Sequence, residues 1–255
     1  MPKTFIPGET KAQRKARKRE EKAAHNQKVK VAQRERLAAP PKPKPAPDSP
    51  GPQDQIKRSD IVFVLGNGTS RKTINPEQLR PHGTIYGCNA LYREFIPDYL
   101  IAVDTKMIRE ISTAGYQHQY SVWTNPNKYS RSIEKINLFN PNLGWSSGPT
   151  ALNFASNQYP KEVYILGFDY QGIGRKNELV NNMYAGTENY KKLHDRATYF
   201  GNWERQTSTI IQKNPRIRYI RVVEVEPYFV PNSLEGHDNL RHITVEKFKK
   251  KFKLS

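Results

Sequence analysis

At 255 residues the chain has room for one ordinary domain plus extensions, and its formal charge of +18 is spread unevenly. Residues 1–58 hold 16 Lys/Arg and 6 Asp/Glu, and residues 241–255 hold 6 and 1, so the ends carry +10 and +5 and residues 59–240 only +3. A single cysteine, Cys88, excludes an intramolecular disulfide and a thiolate-rich metal site, and no apolar run approaches the ~18 residues that cross a bilayer. The chemistry of the centre is therefore not set by the basic pI. With no apolar leader segment either, the expectation is a soluble protein of a reducing compartment such as the cytoplasm.

Residues 1–38 begin with an arm rich in Lys, Arg, Ala, Gln and Glu, all good helix formers, but without a broad apolar stripe. It reads as a disordered, conditionally helical arm, either a solvated tail or a contact for nucleic acid or another polyanion through phosphates. Residues 39–58 form a proline-rich linker favouring polyproline II. From Ser59 the composition changes. Strand-like runs at Ile61–Leu65, Thr84–Cys88, Tyr99–Val103, Tyr120–Thr124, Val163–Leu166 and Ile217–Val223 alternate with helix-like stretches at Pro76–Arg80, Thr105–Ala114, Pro149–Gln158 and Thr187–Lys213. That alternation predicts an α/β domain over 59–240, with a mostly parallel sheet covered by helices on both faces. Residues 241–255, where Phe248 and Phe252 interleave with lysines, read as a basic tail or a short docking helix, a second candidate contact for a polyanion.

Four features fall where strands end or helices begin. Gly66-Asn67-Gly68-Thr69-Ser70 follows the first buried strand. Its glycines suit unusual backbone angles or close ligand approach. Neither a dinucleotide fingerprint nor a phosphate loop is complete, because Arg71 stands three after Gly68 and no Gly-Lys-Ser/Thr ending follows. Cys88-Asn89 ends the second strand, and an Asn amide pairs with a base edge or a ribose hydroxyl, or caps a helix. Ser146-Ser147-Gly148-Pro149 reads as a helix start, with Ser147 as cap and free N–H groups suited to an anion. Gly167-Phe168-Asp169-Tyr170 closes another buried strand, with Asp169 available to a ligand or to an internal cation.

In order and spacing these residues resemble the bacterial sialyltransferases of glycosyltransferase family 42 and the nucleotide-binding proteins, a pterin diphosphokinase-like group among them, that share a Gly-Asn-Gly-Pro-Ser loop. The family continues with Cys-Asn, a Thr-Ser-Gly helix start and a strand ending Gly-Ile-Asp-Phe-Tyr; the likeness covers about residues 60–225. It implies a Rossmann-like fold of the GT-A type that binds a cytidine-monophosphate sugar and transfers the sugar with inversion and without a metal. No Asp-x-Asp motif occurs in the chain. No cofactor is implied; the nucleotide-sugar is a substrate. By position Asn67, Asn89, Ser147 and Gly148 would hold the nucleotide, with Gly66, Gly68, Thr69 and Ser70 shaping the first loop. Tyr184 and Tyr190, six apart as in the family, would donate to the leaving phosphate. The family's general-base histidine falls at Asn202, which cannot take the proton, so His194, Asp169 and His237 are the substitutes to weigh. Small single-domain relatives with tails are often encoded by bacteriophages. That fits a transferase in the host cytoplasm or a non-catalytic, virion-associated protein that holds a polyanion. A diphosphokinase-like reaction is the third reading. It would need a divalent metal, with Asp104 and Asp169 as the strand-end carboxylates.

Overall fold

In the computed structural model, Gln13, Glu20 and residues 56–255 are described; the expected arm and most of the proline linker lie outside the described residues. Gln13 and Glu20 are helical. At the linker's end, Ile56 packs on the core and the Lys57 N–H donates to the Tyr99 hydroxyl at 2.8 Å.

Eight strands form one sheet: β1 (Ile61–Leu65), β2 (Thr84–Cys88), β3 (Tyr99–Ile101), β4 (Val122–Thr124), β5 (Asn137–Leu138), β6 (Glu162–Leu166), β7 (Arg218–Val223) and β8 (Leu240–Thr244). Their order is β5-β4-β3-β2-β1-β6-β7-β8, and every pairing is parallel. Among residues 56–255 four helices flank it: α1 (Thr105–Thr113), α2 (Ser147–Ser156), α3 (Gly201–Lys213) and α4 (Val245–Phe252). The architecture is Rossmann-like. The chain lays β2 to β5 on one side of β1 and then returns to add β6 to β8 on the other. The register Ile61↔Glu162 to Leu65↔Leu166 therefore joins two strands whose following loops diverge, and that is the switch point of the sheet.

Side-chain alternation divides the core in two. Val62 and Val64 face α2 and α3 together with Tyr86, Val163, Ile165 and Tyr219. Phe63 and Leu65 face the other way, onto Ile85, Tyr164, Leu166 and the α4 residues Phe248 and Phe252. α2 buries residues on nearly every side, as a helix lodged between the sheet and α3 must.

The buried runs expected for β1 and β2 have the bounds read from the sequence. Two expectations need correction. The basic segment 241–255 is not a tail: β8 and α4 belong to the sheet and its cover, and Phe248 is fully buried. The helix expected over Thr187–Lys213 begins only at Gly201; the preceding residues form turns, with isolated bridges from Leu179 to Ile173 and to Arg196. β5 was not foreseen. Among the described residues no helix is long and apolar enough to cross a membrane.

Candidate functional site

The carboxyl ends of β1, β2, β3 and β6 surround a cleft of about 290 Å³. This is the low end of the size range for small-molecule sites. Of the residues singled out in the sequence, Gly66, Asn67, Gly68, Asn89, Asp104, Ser147, Gly148 and Asp169 line it. The two asparagines therefore meet at one cavity although 22 positions separate them.

The first loop is held by the protein itself. Gly66 N–H donates to Leu166 O at 2.8 Å and Gly68 N–H to Gly167 O at 2.9 Å. Thr69 N–H and Thr69 Oγ1 both donate to Asn181 Oδ1, at 3.0 and 2.7 Å. Ser70 N–H donates to Asp169 Oδ2 at 3.1 Å, and Ser70 Oγ donates to Asp169 Oδ1. Four of the five amides that a phosphate would use on such a loop are thus occupied, with the Asp169 carboxylate bound to the last of them.

The glycines follow from the same close approach, and here the structure corrects the sequence reading. Gly68 has φ −65°, open to any residue, and Gly66 is not left-handed either. What bars a side chain is space: a Cβ on Gly66 would lie 2.7 Å from Gly167 O, and one on Gly68 2.5 Å from Asp169 Oδ2. The left-handed glycine is Gly167, at φ +68°, which turns the chain out of β6.

Ser147 is the hub of the other wall. It is the first residue of α2 rather than its cap, which is Ser146. Its hydroxyl donates to Asn89 Oδ1 at 2.8 Å and accepts from Val103 N–H at 3.1 Å, joining the ends of β2 and β3 to the helix start. Asn89 sits at φ +53°, a left-handed position that Asn tolerates, and does not cap the turn after it, where Cys88 is the cap. Left for a ligand on this wall, among the described residues, are the Asn89 amide NH₂, the N–H groups of Ser147 and Gly148, and the exposed Asp104 carboxylate at the start of α1; across the cavity Asn67 Oδ1 is likewise without a partner. Cys88 also lines the cleft, but burial pushes its thiol up to about 12, so it stays neutral.

Of the catalytic candidates Tyr184, Tyr190, His194 and Asp169, Asp169 alone lines the cleft. Tyr184 is buried; its hydroxyl donates to Glu94 Oε1 at 2.6 Å and accepts from Arg71 Nη2 at 3.1 Å, beneath the first loop. Arg71 in turn donates through Nε to Gly66 O at 2.6 Å. The Tyr190 hydroxyl accepts from Asn67 Nδ2 at 3.1 Å and from Ala90 N–H at 3.2 Å. It therefore stands one hydrogen bond behind the cleft wall, and burial raises its pKa well above the usual phenol value. His194 is exposed, in a turn rather than on a helix, and away from the cleft. His237 pairs with Ser208 Oγ at 2.9 Å, and among the described residues no histidine lines the cavity. Asn202 lies in the first turn of α3 and accepts from Arg205.

Residues that the sequence reading missed complete the site. Asn181 and Asn182 arrive on the irregular segment after β6, and Phe200 and Trp203 flank the start of α3. The Asn181-Asn182 pair and a tryptophan beside Asn202 were visible signals. Arg221 on β7 is a buried cation that donates to Phe168 O at 2.8 Å, Asp169 O at 3.0 Å and Phe229 O at 2.8 Å, and so pins the loop that carries Asp169. Among the described residues no group of three His, Cys, Asp or Glu is disposed to hold a metal ion.

No protein-family profile matches the chain, and neither does a curated protein or a solved structure.

Proposed function

We propose that the cleft binds a nucleotide carrying a single phosphate, with a cytidine-monophosphate sugar as the donor class and glycosyl transfer as the reaction. The observation that carries this reading is the meeting of Asn67, Asn89 and the uncapped start of α2 at the switch point. The phosphate belongs at the N–H groups of Ser147 and Gly148, because the Gly66, Gly68, Thr69 and Ser70 amides are already spoken for. Among the described residues no Lys or Arg lines the cleft, whereas Asp104 and Asp169 do. That balance favours one phosphodiester charge over a di- or triphosphate. In the transfer step an acceptor hydroxyl attacks the anomeric carbon, the bond to the phosphate oxygen breaks, and the hydroxyl proton passes to a carboxylate. Asp104 is the candidate base, since both Asp169 oxygens are held by Ser70.

Calorimetry of the full chain against CMP, CDP, UDP, GDP and ATP tests this. CMP binding at micromolar to millimolar strength is the expected result; no heat with any nucleotide rejects the site. A diphosphokinase-like reaction would instead show nucleotide turnover that a chelator abolishes.

A second reading is favoured by the absence of a histidine from the cleft and by the locked Tyr184: a fold relative without catalysis that holds a polyanion through its basic ends. Arg241, Lys250 and Lys253 have no carboxylate partner among the described residues. Retention on DNA or RNA that falls steeply with salt, and that drops when these three are changed to Gln, supports it.

A further inference from the structure

The cleft has two chemically different parts. One carries amide N–H groups and carboxylates. The other is aromatic: Phe200 and Trp203 line the cavity with ring centroids 5.3 Å apart and an interplanar angle of 73°. Both rings are only partly buried and rest against the core cluster of α2, α3 and the sheet, so their backs are fixed while one side meets the cavity. α3 is held in place beside this wall. The Tyr170 hydroxyl donates to Thr207 Oγ1 at 2.8 Å, and Ser146 N–H donates to Gln206 Oε1 at 3.2 Å. The Trp203 indole N–H has no partner among the described residues.

We infer that Trp203, edged by Phe200, is the stacking platform for the nucleobase of the bound nucleotide, and that the base rather than the phosphate supplies most of the affinity. Two observations lead there independently. A planar aromatic surface backed by a packed core and open to a polar cavity suits a π-face, and stacking on such a surface tolerates any base. Among the described residues two carboxylates and no cation line the cavity, so these residues lack the usual source of phosphate affinity. The proposal extends the nucleotide reading above and depends on it. It adds an order of preference: nucleoside and nucleoside monophosphate bind comparably, the triphosphate more weakly, and a sugar phosphate without a base hardly at all.

The test uses the full chain and the Trp203→Ala and Trp203→Phe variants, titrated with cytidine, CMP, CTP and ribose 5-phosphate. Calorimetry and tryptophan emission are both recorded. The wild type is expected to bind cytidine and CMP within a few-fold of each other, with quenching. Trp203→Ala should lose about 10- to 100-fold for both while ribose 5-phosphate stays undetected. Trp203→Phe should keep the affinity within about 3-fold, since phenylalanine still stacks, and lose most of the quench. CMP binding that survives unchanged in Trp203→Ala, or ribose 5-phosphate that matches CMP, overturns the platform and leaves the nucleotide reading intact. A wild type that binds none of the four overturns both. Should Trp203→Ala fail to fold by its melting curve, Trp203→Phe decides, because an unchanged quench puts the base elsewhere.

Discussion

The two faces of the sheet do opposite work. On one, α2 and α3 cover Val62, Val64, Val163 and Ile165, and their first turns stand over the strand ends, where the cavity opens. On the other, α4 presses Phe248 and Phe252 onto Phe63 and Tyr164, with ring centroids between 5.0 and 6.2 Å. The first face keeps unpaired polar groups and half-exposed aromatics; the second is a closed aromatic cluster. Local chemistry tracks this division: where packing is complete the residues are spent on stability, and where it stops short they are free for a ligand.

The comparison is broken most violently by removing one cover. Truncation after Thr244 deletes α4 and exposes Phe63 and Tyr164, and the expected outcome is loss of cooperative unfolding by circular dichroism. The milder Phe248→Ala should cost about 3–5 kcal/mol in denaturant titration, because a fully buried ring leaves a cavity behind. Nucleotide affinity should hardly change in the folded fraction. Trp203→Ala is the reverse case, with the affinity loss given above and a smaller stability cost. Gly68→Ala sits between the two. Its Cβ would meet Asp169 Oδ2 at 2.5 Å and Gly167 O at 2.7 Å, so the β1 and β6 loops must part. A loss of about 1–3 kcal/mol, with weakened ligand binding, is expected.

The smallest effect lies at the closed edge. Burial, and then the charge of Arg221 on the neighbouring strand, pull His242 from 6.5 down to about 4. The unfolded chain therefore binds a proton that the folded one refuses. This histidine's contribution is complete above about pH 6.5 and is lost as the pH falls from there towards 4. His242→Gln should flatten the melting-temperature profile over that window. Solvent reaching the half-buried ring keeps the change modest. Glu110 and Glu162 act at lower pH, since both have carboxyls held below their usual range, although burial alone would raise them. Arg93 and Tyr92 hold Glu110 down; Tyr164 and Lys251 hold Glu162 down.

How much of this was legible follows from where the information sits. β1 and β2 are five-residue buried runs, and their sequence alone marks them. β8, Leu240-Arg241-His242-Ile243-Thr244, mixes charge into an edge strand, and α4 shows four lysines to a composition count while its two rings do the packing. The glycines of the first loop marked the right place for a reason that lies elsewhere in the chain: the carbonyl of Gly167 and the carboxylate of Asp169 fill the space above them. Tyr184 looked like a phosphate donor by spacing. Its partners, Arg71 and Glu94, lie 113 and 90 positions away, and only the folded chain brings them to its hydroxyl. Trp203 stands in plain view beside Asn202, but only the placement of the first turn of α3 against the strand ends brings its ring to the cavity.

The pairing of β1 with β6 also bears on how the chain is made. Ile61 waits for Glu162, 101 positions further on, so a nascent β1 emerges from the ribosome with one edge bare for several seconds. Until β6 arrives, Val62 and Val64 lack the neighbours Val163 and Ile165 that later share their layer. A chaperone that masks extended apolar segments during translation should raise the yield of soluble product, and slowing synthesis ahead of residue 162 without one should lower it.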